Sequence, residues 1–403
     1  MSRYPALSDW LGELSNRLPQ LSKPQVTVLA MWSYAIAVTR TCGRHTVALF
    51  LGLLMRQKAG TVQQRLREWC YDEEDKQGSH RQQLQVECCF APLLRWVVSL
   101  WQGTALALVL DATTLGDRLV VLSISVVYRG CGLPVAWTVL PAQQKGAWRG
   151  HWLNLLGHLH PALPSEWRVL VLADRGLYAR WLYRAIVRLG WHPFLRIQQA
   201  SKFRPLGQRH WYWLHELLGA MGTSWSGSGT AFSGKDRHQL CTLVAWWGEG
   251  HPQAWFIITD LPSSGCQAAW YGLRAWCEQG FKCLKRGGWQ WQNTRMTDPH
   301  RASRMWLALA VALLWMVSLG SDLELAPSSE PPELAELPDL RPILELAAIA
   351  VRTRRSRLFR LGWLWLLVQS IMAQPLPLPR RLVPEPWITE PARMSSQHPK
   401  TYP

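Results

Sequence analysis

The chain predicts an α/β protein: a mixed sheet flanked by helices, carrying a β-rich insertion, with an N-terminal helical region and a C-terminal helical tail. Three observations predict it. Apolar residues recur at helical spacing over the first hundred residues. The pattern then switches to short apolar runs that read as buried strands, ALALVLDATTL, LVVLSISVVYRG, LPVAWTVLPAQ and WRVLVLADRG, separated by turn residues. A Trp-, Gly- and Ser-rich stretch interrupts that rhythm before helical periodicity returns.

In order, residues 1–101 read as a helical, DNA-binding region, with helices in VTVLAMWSYAIAV, TVALFLGLLM and PLLRWVVSLW. Within it, RHTVALFLGLLMRQKAGTVQQRLREW reads as a helix, a turn at Lys58-Ala59-Gly60 and a second helix from Thr61. That spacing suits a helix-turn-helix presenting Gln63, Gln64, Arg65 and Arg67 to a groove, or equally a helical hairpin with a solvated polar face. Residues 102–200 form the first part of the core, a β-β-β-α-β-α-β series in which Asp111 and Asp174 each close a buried strand. Residues 201–261 are the β-rich insertion, with strands at CTLVAWW and AWFIITDL. Residues 262–325 return to the core, with one helical run from Ser264 to Lys285 and an apolar helix, RASRMWLALAVALLWMVSL. Residues 326–403 make a Pro-rich acidic linker and a tail whose helix carries Arg352, Arg354, Arg355, Arg357 and Arg360, a cluster that either tracks DNA or packs.

Composition narrows the partners. Of 403 residues 48% are hydrophobic, which argues against disorder. The formal net charge of +17 favours a polyanion, nucleic acid ahead of a membrane, because clustered Lys and Arg gain affinity by releasing counterions from phosphates. The nine cysteines include no CxxC pair, so reduced buried thiols are expected and not a zinc site. No secretory signal is read at the N-terminus. The apolar run Met305–Leu319 is shorter than a membrane span and reads as a buried helix, so no membrane partner is expected.

The chemistry-bearing constellation is Tyr271, Arg274, Glu278 and Lys285, at offsets of three, seven and fourteen residues, a single stripe of an α-helix. Asp111, Asp174 and Glu278 are hard oxygen donors of the kind that hold two Mg²⁺ ions about 3.5–4 Å apart for phosphodiester chemistry. Each acid also has a duller reading: a turn residue for Asp111, a helix cap for Asp174, a solvated helix acid for Glu278. Lys282 and Arg286, beside the stripe, either add phosphate contacts or face solvent.

The strand order, DATTL at the first acid, ADRGLY at the second, and Tyr-x2-Arg-x3-Glu-x6-Lys at 271–285 together resemble a DDE transposase of the insertion sequence 4 family, over about residues 102–320. The resemblance implies a ribonuclease H-like core and a metal triad of Asp111, Asp174 and Glu278. It implies Mg²⁺ as cofactor, two ions with Mn²⁺ able to substitute, and DNA contacts from Tyr271, Arg274 and Lys285, to which nearness to the signature adds Lys282 and the helical pair adds Arg65 and Arg67. It further implies cut-and-paste transposition, with the element's terminal inverted repeats and target DNA as double-stranded partners, a homodimer on DNA, and a cytoplasmic, nucleoid-associated place in a prokaryote. A hairpin intermediate would need a flipped base stacked on an aromatic, for which Trp246, Trp247 and Trp255 are the candidates unless they are core residues. The alternative is a domesticated relative that binds DNA without cutting it.

Overall fold

A computed structural model describes residues 5–77, 81–144, 146, 148–234, 237–325, 357–372 and 374–388. The helices are α1 (Pro5–Arg17), α2 (Lys23–Thr39), α3 (Arg44–Met55), α4 (Ala59–Trp69), α5 (Phe90–Leu100), α6 (Arg149–Leu159), α7 (Arg180–Arg188), α8 (Leu214–Leu217), α9 (Ala275–Leu284), α10 (Pro299–Leu325) and α11 (Arg357–Ile371). The strands are β1 (Ala105–Leu115), β2 (Leu119–Tyr128), β3 (Cys131–Pro141), β4 (Arg168–Ala173), β5 (His192–Arg196), β6 (Lys202–Pro205), β7 (Tyr212–Trp213), β8 (Ser224–Ala231), β9 (Gln239–Trp246) and β10 (Trp255–Thr259).

The ten strands form one mixed sheet in the order β3-β2-β1-β4-β5-β10-β9-β8-β6-β7. β1, β4 and β5 run parallel, while β2 and β3 pair antiparallel. A 3-2-1-4-5 order with that mixture of directions is the ribonuclease H-like arrangement expected from the strand series. β2 is buried along its whole length, as a strand covered on both faces must be, and its sequence is accordingly apolar without alternation. The insertion does not stand apart: β10 pairs antiparallel with β5, and β9, β8, β6 and β7 extend the same sheet.

The chain divides into two compact units. Unit 1 takes the described residues within Met1–Gly103, Ala112–Leu163 and Trp276–Pro384; unit 2 takes those within Thr104–Asp111, Pro164–Ala275 and Glu385–Pro403. In unit 1 the hub is α10, 27 residues long and apolar on every side. By length and composition it would cross a membrane, longer than the sequence run suggested, yet 89% of its most apolar window is buried inside the protein. Trp315 on this helix stacks on Trp10 at 4.0 Å, and Trp306 meets Trp291 and Trp137. Much of the tryptophan surplus is therefore core, where each ring pair adds about 0.5–1.5 kcal/mol beyond area burial. All nine cysteines are free, and all but Cys88 are buried.

Two helical readings need correction. α4 begins at Ala59, not Thr61: α3 ends with Arg56 in the left-handed region (φ 52°), and the Gln57 N–H closes onto the Gly52 carbonyl at 2.9 Å, so Lys58 already caps the next helix. The stretch 264–285 is not one α-helix; a 3-10 helix, Ala268–Arg274, precedes α9 and Lys285 lies just past its end. Of the tail cluster, Arg357 and Arg360 lie on α11, whereas Arg352, Arg354 and Arg355 fall outside the described residues.

Candidate active site

In unit 2, β1 and β4 are parallel neighbours whose register pairs Leu110 with Ala173. Asp111 and Asp174 are the next residue on each chain, so the two acids stand side by side where the parallel pairing stops; Asp174 follows the last residue of β4, but β1 does not end at Asp111 as the sequence suggested and runs on to Leu115. Polar residues at that edge of an open α/β sheet are where such folds place their ligands. The Asp111 side chain is 15% exposed and that of Asp174 39%.

One cation serves both. Arg274 Nη2 donates to Asp111 Oδ1 at 3.2 Å and Oδ2 at 3.1 Å, and lies 3.8 Å from Asp174 Oδ2. Asp174 also keeps part of its duller role, since its Oδ1 accepts the Gly176 N–H at 2.9 Å and fixes the turn after β4. It does not cap α7, whose N-cap is Ala179.

Arg274 closes the 3-10 helix, in which a three-residue repeat sets it directly above Tyr271. The tighter helix follows from two anchored neighbours: Trp270 packs on Phe194 and Trp387, while Tyr271 is 4% exposed and meets Trp255 edge-on at 5.3 Å. Burial pushes the Tyr271 hydroxyl up to about 12; Asp174 adds to the rise, and Arg274 and Arg196 oppose it. The phenol is thus a neutral donor at ordinary pH. Arg196, at the end of β5, stands 5.7 Å from the Tyr271 ring. The sequence reading passed over Arg196, although its place at the end of a buried strand was a usable signal.

Trp255 also contacts Trp246 and His251, and Trp247 Nε1 donates to the His251 carbonyl at 3.0 Å. All three tryptophans proposed for base stacking are therefore packed against neighbours in unit 2.

In unit 1, Glu278 is exposed on α9, with Lys282 exposed one turn on. Lys285 Nζ donates to Thr113 Oγ1 at 2.6 Å and to the Thr114 carbonyl at 2.7 Å, the stretch of β1 just beyond Asp111. Burial lowers its pKa. α9 is set by backbone contact: a Cβ on Gly280 would strike the Gly132 carbonyl of β3, and a Cβ on Gly132 would come within 2.7 Å of Cys277 Cα. The four signature residues accordingly do not share one helix: Tyr271 and Arg274 lie in unit 2, Glu278 and Lys285 in unit 1.

A pair of carboxylates offers hard oxygen donors suited to Mg²⁺, and the guanidinium held between them shows that the pair draws positive charge. Among the described residues no group of three or more His, Cys, Asp or Glu gathers closely enough to hold a metal ion. In the other sequence-predicted region, Arg65 is exposed and donates to Gln57 at 3.3 Å and Gln64 donates to Glu68 at 2.8 Å, whereas Gln63 and Arg67 line a cavity.

No curated protein matches the chain. Among solved structures it is similar to one described as "Cryo-EM structure of piggyBac transposase synaptic complex with hairpin DNA (SNHP)", at 11% identity and a TM-score of 0.34, over 91% of this chain and 78% of that chain. Residues 117–315 match the family model described as Transposase DDE domain, a span that holds Asp174, Tyr271, Arg274, Glu278 and Lys285 and begins beyond Asp111. Over residues 117–315 the sequence is therefore similar to a transposase DDE domain.

Proposed function

We propose that the protein is a DNA transposase of the insertion sequence 4 type, cutting and joining the ends of its own element as a dimer in a prokaryotic cytoplasm. The observation that carries this reading is the placement of Asp111 and Asp174 just beyond the last paired residues of two neighbouring parallel strands, with one guanidinium between them. Asp111 and Asp174 would hold Mg²⁺ or Mn²⁺, and Glu278 is the third acid that the family resemblance implies. When bound, such ions lower the pKa of a nucleophilic water or 3′-hydroxyl and offset charge on the leaving oxygen.

The chain's own groups do the positioning. Tyr271, kept neutral by burial, donates a hydrogen bond to a phosphate oxygen without competing as a nucleophile. Arg274 balances the two acids before DNA arrives. Lys285 fixes the strand segment after Asp111 through Thr113 and Thr114. Asp174 is oriented by the Gly176 amide, which leaves Oδ2 toward Arg274.

The test is strand cleavage. Purified protein is incubated with Mg²⁺ and duplex DNA bearing the element's ends, beside an Asp174→Ala variant. Cleavage by the intact protein and a loss of roughly 10³-fold or more in the variant support the reading. Binding without any strand break would instead point to a domesticated DNA-binding protein, and equal cutting by the variant removes Asp174 from the chemistry.

A further inference from the structure

Unit 1 contains a cavity of about 670 Å³, and none of the three proposed metal acids lines it. It opens between the first turn of α3, the face of α4 that carries Gln63 and Arg67 one turn apart, and the segment 293–298 that leads into α10. Its lining sets four guanidinium groups, Arg44, Arg67, Arg295 and Arg301, against a single carboxylate, Asp298. Asp298 is already engaged: its Oδ1 accepts the Arg301 backbone N–H at 2.8 Å. Arg301 is engaged as well, over the Tyr71 ring at 4.3 Å and paired with Asp75 at 2.8 Å.

Arg44, Arg67 and Arg295 are different. Among the described residues none of the three takes part in an ion pair. Three like charges around one cavity repel each other and gain from a polyanion laid between them. The first turn of α3 adds to this: Gly43 at its N-cap offers no side chain to the leading N–H groups, and Arg44, His45 and Thr46 of that turn line the cavity.

The walls are tied together by hydrogen bonds. Arg304 is 2% exposed and donates to the Cys70 carbonyl and to Asp72, each at 2.6 Å, pinning the end of α4 to α10. Arg118 donates to the Met296 carbonyl at 3.0 Å and holds the third wall. A charged cleft fixed in advance spends little binding energy on ordering itself.

We propose that this cleft binds the phosphodiester backbone of DNA, with Arg44, Arg67 and Arg295 as its phosphate contacts and the open turn of α3 beside them. The helical pair then positions DNA by its backbone through this cleft. It does not read a groove through the exposed face that carries Arg65, whose guanidinium is tied to Gln57. The inference rests on the DNA reading above and assigns that reading a surface.

The experiment is a salt titration of the full chain on a labelled random-sequence duplex, read by fluorescence anisotropy, with thermal melts to confirm that each variant folds. An Arg44→Gln/Arg67→Gln protein is expected to lower the slope of log affinity against log salt by about 2 and to weaken binding tenfold or more at low salt. Arg295→Gln alone is expected to lower the slope by about 1. An Arg188→Gln/Arg209→Gln protein, which loses the same charge from exposed positions in unit 2, is expected to lose less than half as much. If the Arg44/Arg67 variant binds like the parent, or if the charge control loses as much, the cleft is not the contact. If the parent itself binds no duplex, the functional reading fails, and the cleft's assigned ligand fails with it.

Discussion

Arg274 touches both oxygens of Asp111 and approaches Asp174, so it is the hinge of the site's charge balance. Two carboxylates on adjacent strands repel at short range, and a guanidinium fork offsets that repulsion with directed hydrogen bonds that an ammonium cannot match. Arg274→Ala is expected to lower unfolding free energy by about 1–3 kcal/mol in urea melts and to lower cleavage by roughly 10²-fold. Arg274→Lys is expected to restore part of the stability and little of the cleavage. Tyr271 gives a pH signature. Its native pKa of about 12 lies above the unfolded value of 10.0, so its contribution to stability is complete below pH 10 and is lost as pH rises through about 12. Tyr271→Phe is therefore expected to flatten the fall in stability between those two values, measured as urea midpoints against pH; an unchanged slope would mean the phenol is not the titrating group.

At the scale of elements, α9 depends on a helix-to-strand contact with no side chain between the backbones. Gly280→Ala would press a methyl group into the Gly132 carbonyl, and α9 must shift to accept it. The expected cost is about 1–3 kcal/mol in urea unfolding. It should come with weaker cleavage, because Glu278 rides on the same helix, whereas Gly157→Ala on α6, where a Cβ meets open space, is expected to cost neither. These elements also mark how far the sequence could be read. Asp111 and Asp174 were legible because a buried strand announces itself by composition and the first acid marks where burial falls off, although β1 runs on past Asp111 to Leu115. The 3-10 helix was not: an offset of three residues between Tyr271 and Arg274 fits either helix type, and what tightens this one is the anchoring of Trp270 and Tyr271 by residues distant in sequence. α3 and α4 were legible as helices from period and turn. Which face of α4 borders the cavity was not, because the 293–298 segment that lines it with Gln63 and Arg67 is distant in sequence.

Over the whole molecule, the sheet order followed from the succession of strands, but the insertion's strands were read as an interruption and instead extend the sheet from β5 through β10. Edge pairing between segments far apart in sequence leaves no local periodic trace. The division into two units was equally hidden, since β1 contributes its start to one unit and its end to the other. The net charge of +17 is a property of the whole chain, and under the proposed function it would bear on how DNA is gathered more than on how it is cut. The central claim, that Asp111 and Asp174 form the core of a metal-binding site, is tested most directly by titrating the full protein with Mn²⁺ and following the bound ion by electron paramagnetic resonance. The account predicts Mn²⁺ binding by the parent, displacement by Mg²⁺, and weakening of tenfold or more in both Asp111→Asn and Asp174→Asn; Mn²⁺ bound equally well by both variants would contradict it.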